Sequence, residues 1–260
     1  FDLAHATVKA RFEYLEHGQA QLIVENDYRL NTNRKRAYTI PEVQLVSITN
    51  SRSTRVLRRL GRFDLEFIWF NRLYLRAVEG LGTKGDVQKL VRQWAGGLMV
   101  FRDGFRINPY GGADDDWLEL DKRAFARRGY KLNRQQVIGR VNLSWRNKRL
   151  VEQTNREGLV DNEYKDAFVS ILQKVLEDFK TFSEDIEKEL RQEDLTSVDV
   201  LRTRVANSKT EIQRRIREIA VDAPEQAGPL REVERLVKSL AAQIDDVDSI
   251  IDDYKDERRK

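Results

Sequence analysis

The sequence predicts an α+β fold: a mixed sheet with helices on one face, followed by an all-α helical bundle or coiled-coil arm. Three observations lead there. Residues 1–160 mix segments of alternating polarity with short helical runs, whereas from Asp161 onward apolar residues recur every three or four positions. Residues 1–160 carry 29 basic and 18 acidic side chains, and residues 161–260 carry 18 and 25, so the two stretches differ in charge as well as in period. Charged residues make up 35% of the chain, which suits long helices with one narrow buried stripe. The expected division is an α+β domain over 1–160 and a helical domain over 161–260.

In order along the chain, Ala10–Glu16 alternates through Phe12 and Tyr14, and Gln19–Leu30 holds a second strand-like run around Leu22, Ile23 and Val24. Arg62–Phe70 alternates cleanly, with Phe63, Leu65, Phe67 and Trp69 on one side. Asp86–Trp94 has helical spacing through Val87, Leu90, Val91 and Trp94. Leu98–Phe101 and Phe105–Ile107 flank Asp103-Gly104, a pair that tolerates the positive φ of a tight hairpin turn. A loop over 108–121 follows, and 137–144 closes the sheet. In the helical part, Tyr164, Phe168, Ile171, Val175, Phe179, Phe182, Ile186 and Leu190 form one stripe. Asp194–Ser197 is expected to break it, Pro224 to Pro229 to turn the chain again, and Leu230 to Tyr254 to form a heptad core.

Composition removes several chemistries. There is no cysteine, hence no disulfide and no thiol nucleophile or thiolate zinc site. The two histidines, His5 and His17, are expected at strand surfaces and leave no base for a Ser/His/Asp triad. Gly82-Thr83-Lys84-Gly85 lacks phosphate-loop spacing. The triplet Asp114-Asp115-Asp116 is expected to cap a turn rather than hold magnesium, so no metal site is assigned. No apolar run reaches membrane-span length, so no membrane partner is expected. The chain opens on Phe1 and is expected to be a piece of a larger protein.

Two features point to anions. Thr154 and Glu157 have the spacing of a capping box, predicting a helix that opens at Thr154-Asn155-Arg156-Glu157 with Arg156 in the field of its N-terminus. Arg52, Arg55, Arg59 and Arg62 would share one face if 52–62 were helical, and Asn31–Arg36 adds a basic loop. That arrangement suits a nucleic-acid-binding module, possible DNA included, dimerised by its coiled coil. A plain solvated surface and a structural dimerisation scaffold are the remaining readings.

Four blocks in order, Phe101–Gly111, Asp115–Asp121, Gln136–Val141 and Thr154–Leu159, resemble the middle segment of bacterial GHKL-type ATPases, which join a heat-shock-chaperone-like ATP-binding domain to a transducer-like domain. The resemblance covers residues 60–165 and implies a sheet like the second domain of ribosomal protein S5. In the related chaperone an Asn-x-Ser-Arg-Glu segment sends its arginine to the γ-phosphate of ATP bound in the preceding domain. Here Asn155 adjoins Arg156 directly, which departs from that pattern. The resemblance assigns Arg156 as the catalytic cation, with Asn155 and Gln153 beside the nucleotide. It makes ATP and Mg2+ cofactors of the full-length protein, with none bound by this fragment alone. The family's catalytic Glu and Asn and its Asp-x-Gly-x-Gly motif do not occur in this chain, so the fragment alone is expected to be inactive and the full-length protein an ATPase. Implied partners are the missing ATP-binding domain and a second copy joined through the helices. The implied setting is the bacterial cytoplasm, in antiviral defence or stress response.

Overall fold

A computed structural model describes residues 3–50, 54–112, 114–126, 132–154 and 157–222, together with 232, 233, 235–239 and 242. Phe1–Asp185 form one compact unit and Ile186–Lys260 a second. The first is α+β around a seven-stranded mixed sheet. Its strands are β1 (Ala6–Tyr14), β2 (Ala20–Tyr28), β3 (Arg34–Pro41), β4 (Phe63–Trp69), β5 (Gly97–Arg102), β6 (Phe105–Ile107) and β7 (Val137–Leu143), in the order β3-β2-β1-β4-β7-β5-β6. Among the described strands only β5 and β7 run parallel.

Period-two alternation sorts the side chains of every strand onto two faces. Val8, Ala10 and Phe12 of β1 lie in register with Phe67, Leu65 and Phe63 of β4, and all are buried. Leu22 and Val24 extend that face toward β3, and Val141, Leu98 and Val100 extend it toward β6. The long helix α5 (Glu163–Asp222) lays its first turns across it. Phe168 meets Phe63 edge-on with centroids 5.0 Å apart, and Phe179 meets Phe67 and Trp69 at 5.5 and 5.7 Å. These are the T-shaped contacts that the aromatic quadrupole favours.

The opposite face is charged. Lys9 and Arg140 both reach Glu66, and Arg11 pairs with Asp64. At one end, however, Ile68 and Ile138 point to this face, and helix α3 (Lys84–Trp94) covers them with Val87 and Val91, alongside Phe70 and Leu75. Helices therefore occupy both faces, correcting the expectation of one. Two isoleucines paired across β4 and β7 supply the apolar seat that a single-faced sheet would lack. Thr83 and Asp86 cap α3 reciprocally, which fixes its start.

Other expectations change as well. Arg34–Arg36, expected in a loop, opens edge strand β3. Arg36 turns inward, donates to the Asp178 carbonyl oxygen at 3.0 Å and lies over the Phe182 ring, while Tyr38 donates to the Asp178 carboxylate. Between β3 and β4 sit α1 (Glu42–Ile48) and α2 (Thr54–Arg59), so only part of 52–62 is helical. α5 is unbroken for 60 residues, and the break expected at Asp194–Ser197 does not occur. Its first turns, to Asp185, belong with the sheet. The turn at Pro224–Pro229 and most of the heptad run from Leu230 to Tyr254 lie outside the described residues.

Phe168 is fully buried beside Phe63 and Trp117, so Phe168→Ala is expected to cost about 3–5 kcal/mol, read from the shift in urea midpoint. Glu42 accepts from Arg58 Nε and Nη2 and from the Ala20 N–H, and the Arg58 hydrogen bonds hold its carboxyl below the ordinary range. A carboxyl whose folded value is depressed contributes stability above the unfolded value and loses it as pH falls through the folded one. Acid unfolding should therefore steepen below about pH 4, the ordinary glutamate range, and Glu42→Gln should flatten that limb in urea titrations between pH 3 and 7.

Candidate functional site

The chain segments that follow β5 and β7 meet at one end of the sheet. β5 ends at Arg102, beside Leu143 of β7, and the chain leaving β7 wraps around the Arg102 side chain. Its guanidinium donates to the carbonyl oxygens of Ser144 and Asn147 at 3.3 and 3.1 Å and to that of Leu150, and its Nε donates to Glu152 at 2.7 Å. With the side chain only 19% exposed, one planar fork of fixed charge fastens the whole 144–152 segment. The turn after Arg102 is the expected hairpin, with Asp103 and Gly104 at φ +47° and +86°.

Beyond Glu152 the chain forms a second small hairpin. The Gln153 N–H donates to Gly158 O at 2.9 Å, the Val160 N–H to Val151 O at 2.8 Å, and Glu152 bridges Leu159. Asn155 and Arg156, within the expected capping box, lie outside the described residues; among those described, 157–160 are not helical and the helix begins at Glu163. The reversal completes at Gly158, whose φ of +105° suits glycine, and it returns Leu159 to full burial. The Tyr110 hydroxyl accepts from the Leu159 N–H at 2.8 Å, and a Cβ on Gly158 would lie 3.1 Å from that oxygen. α5 begins later, where Asn162 Oδ1 accepts from the N–H groups of Tyr164 and Lys165.

Tyr110 is itself fixed by Trp117, whose ring is 4.6 Å away and whose Nε1 donates to Leu98 O. Trp117 in turn stacks on Phe168 of α5. Asp116 accepts from the N–H groups of Leu120, Asp121 and Lys122 and so caps α4 (Leu120–Ala126). Asp115 accepts from the Gly111 N–H, and burial raises its carboxyl. Asp115 and Asp116 thus act as acceptors for backbone N–H groups of the turn and of α4. Among the described residues no group of three or more His, Asp or Glu is placed to hold a metal ion. Asp121 holds Arg134 at 2.6 Å, which anchors α4 to the entry of β7.

Of the assigned site residues, Asn155 and Arg156 lie outside the described residues. Gln153 is half-buried, and its Nε2 donates to Leu159 O at 3.2 Å. Arg52 is also outside the described residues. Arg55, Arg59 and Arg62 are exposed with no ion pair among the described residues, while their neighbour Arg58 pairs with Glu42. His17 lies in the exposed β1–β2 turn, not on a strand. His5 is half-buried: its Nδ1 accepts from the Asn71 N–H at 2.8 Å, and burial first, Arg76 second, lower its pKa. Among the described residues no helix is long and apolar enough to cross a membrane.

The bracing roles of Arg102 and Tyr110 were not legible in the sequence, since neither sits near the hairpin in the chain. Trp145-Arg146-Asn147-Lys148-Arg149, between β7 and the hairpin, sets an aromatic among cations. No protein-family model matches this chain, and no curated protein matches it.

Tyr110→Phe removes the acceptor for the buried Leu159 N–H, an expected loss of about 1–3 kcal/mol locally. Hydrogen exchange at residues 151–160 should speed in that variant while the β1–β4 amides keep their protection.

Proposed function

We propose that the chain is the transducer-like segment of a GHKL-type ATPase, which presents Arg156 to ATP held in a separate nucleotide-binding domain. The observation that carries this reading is convergence. Arg102 holds the 144–152 segment, Trp117 packs on Tyr110 and Tyr110 holds Leu159, so residues far from the small hairpin in sequence brace it. A loop meant to meet an external phosphate needs such bracing, because the electrostatic benefit of a cation at a transferring phosphoryl group depends on its being held in place beforehand.

In this reading Arg156 stabilises charge that develops on the γ-phosphate, and Asn155 and Gln153 lie beside the nucleotide. ATP and Mg2+ are bound by the whole protein, with the magnesium and the catalytic base on the other domain. The sheet corresponds to the second domain of ribosomal protein S5. The helical part of the chain reports the nucleotide state and joins two copies of the protein, in a bacterial cytoplasmic setting such as antiviral defence. Closure around ATP would bias the position of the hairpin, and α5 starts only a few residues beyond it, at Glu163.

In the full-length protein, Arg156→Ala is expected to lower ATP turnover about ten- to a thousandfold with nucleotide binding little changed. Steady-state phosphate release together with nucleotide-binding titration measures both, and wild-type turnover in the variant would remove the assignment.

A further inference from the structure

A second surface lies at the same end of the sheet, on its β4 side, and does not rest on the reading of Arg156. Phe63 and Leu143 are register partners in antiparallel β4 and β7, so Arg62 and Ser144 leave the sheet side by side, about 5 Å apart. Asn147 confirms the closeness: it is buried, and its side-chain atoms would lie 2.5–2.8 Å from a Cβ on Gly61. Arg62, at the entry of β4, and the loop that follows β7 therefore lie together, although more than eighty residues separate them in the chain.

That loop is held rigid from within. Ser144 Oγ accepts from the Arg146 N–H, Ser144 O accepts from the Asn147 N–H, and Asn147 Oδ1 accepts from those of Arg149 and Leu150. Arg102 holds three of its carbonyl oxygens. Its apolar member points outward: Trp145 is 59% exposed. Arg146 and Lys148 flank the indole at 5.6 and 5.0 Å, and Arg62 adds an exposed cation beside Ser144, with the exposed Arg59 three residues before it in the chain. Carboxylates at this end include Glu152, paired with Arg102, Glu13, which accepts from Gln21, and the exposed Asp103 and Glu157.

A large aromatic ring kept in water on a rigid loop costs solvation, which contact with its two flanking cations offsets only in part. Cations alone would suit any polyanion, and a duplex hides its base faces. An unpaired strand offers both phosphates and free π-faces, which is the chemistry that an indole set among cations matches. We propose that Trp145, with Arg146, Lys148, Arg59 and Arg62, forms a binding surface for single-stranded nucleic acid. A base stacks on the indole, and the displaced Arg146 or Lys148 moves to an adjacent phosphate.

Fluorescence anisotropy of this chain with labelled dT20, rU20 and a 20-base-pair duplex tests the surface. Binding to dT20 or rU20 should exceed binding to the duplex and fall steeply with salt, and the two oligonucleotides distinguish DNA from RNA. Trp145→Ala should weaken binding about five- to a hundredfold without changing the salt slope, and Trp145→Phe should restore most of it. Arg146→Ala/Lys148→Ala should lower the salt slope by about 1.4, two phosphate contacts' worth on a single strand. Lys89→Ala, on α3 at the opposite end of the sheet, should change nothing. Failure to bind either oligonucleotide at low salt would overturn the proposal, as would equal affinity for the duplex or indifference to Trp145→Ala. A surface that serves instead to dock an acidic protein gives the first of these results. ATP turnover by the full-length protein reads the Arg156 assignment separately.

Discussion

The burial of one sheet face beneath the first turns of α5 is the constraint on which the remaining arrangement depends. Phe63, Phe67 and Trp69 alternate along β4 at the centre of the strand order and are covered by Phe168 and Phe179. Because the side-chain period is two, seating those rings assigns Lys9, Arg11, Asp64, Glu66 and Arg140 to the other face, where they pair in water. It also sets where α5 begins. With Phe168 over Phe63, the helix must start at the end where β4 enters and β7 leaves, so the chain between β7 and α5 has to be folded into that one corner.

What fills the corner is polar bracing rather than a second core. Arg102 satisfies three backbone carbonyl oxygens and one carboxylate, and Tyr110 satisfies one buried N–H. Hydrogen bonds of this kind add modest net stability each, but leaving their partners unpaired is costly, so they select one geometry for the segment. Rigid loops at a sheet end are where binding surfaces are commonly built, because the scaffold bears the ordering cost. Both surfaces proposed for this protein share that scaffold.

Much of this was legible in the sequence where pattern and period agree. The alternation of 62–70, the Asp103-Gly104 turn and the spacing of 86–94 led to β4, the β5–β6 hairpin and α3 because each is decided locally. β3 was not legible: Arg34, Lys35 and Arg36 lower its apparent strand character, and only the contact of Arg36 and Tyr38 with Asp178 makes their alternation meaningful. The run at Thr154 misled for the opposite reason. Its residue types suit a helix start, yet the tertiary link from Tyr110 to Leu159 and the φ of Gly158 favour a hairpin. The candidate site was legible in its parts and not in its assembly, since register and loop closure bring Arg62, Arg102, Tyr110 and Trp145 to one end.

The flanks of the sheet carry a further consequence. An edge strand offers a row of free N–H and C=O groups to any passing extended chain. On one side β6 is three residues long, too short to recruit a stranger. On the other, β3 opens with exposed Arg34 and Lys35 and closes on Pro41, which has no N–H to give. Like charges brought together by a second copy would repel, and the proline would interrupt the ladder. The basic stretch at the start of β3 thus guards the protein against growing its sheet by association, in a chain rich enough in Val, Ile, Phe and Tyr to make that hazard real.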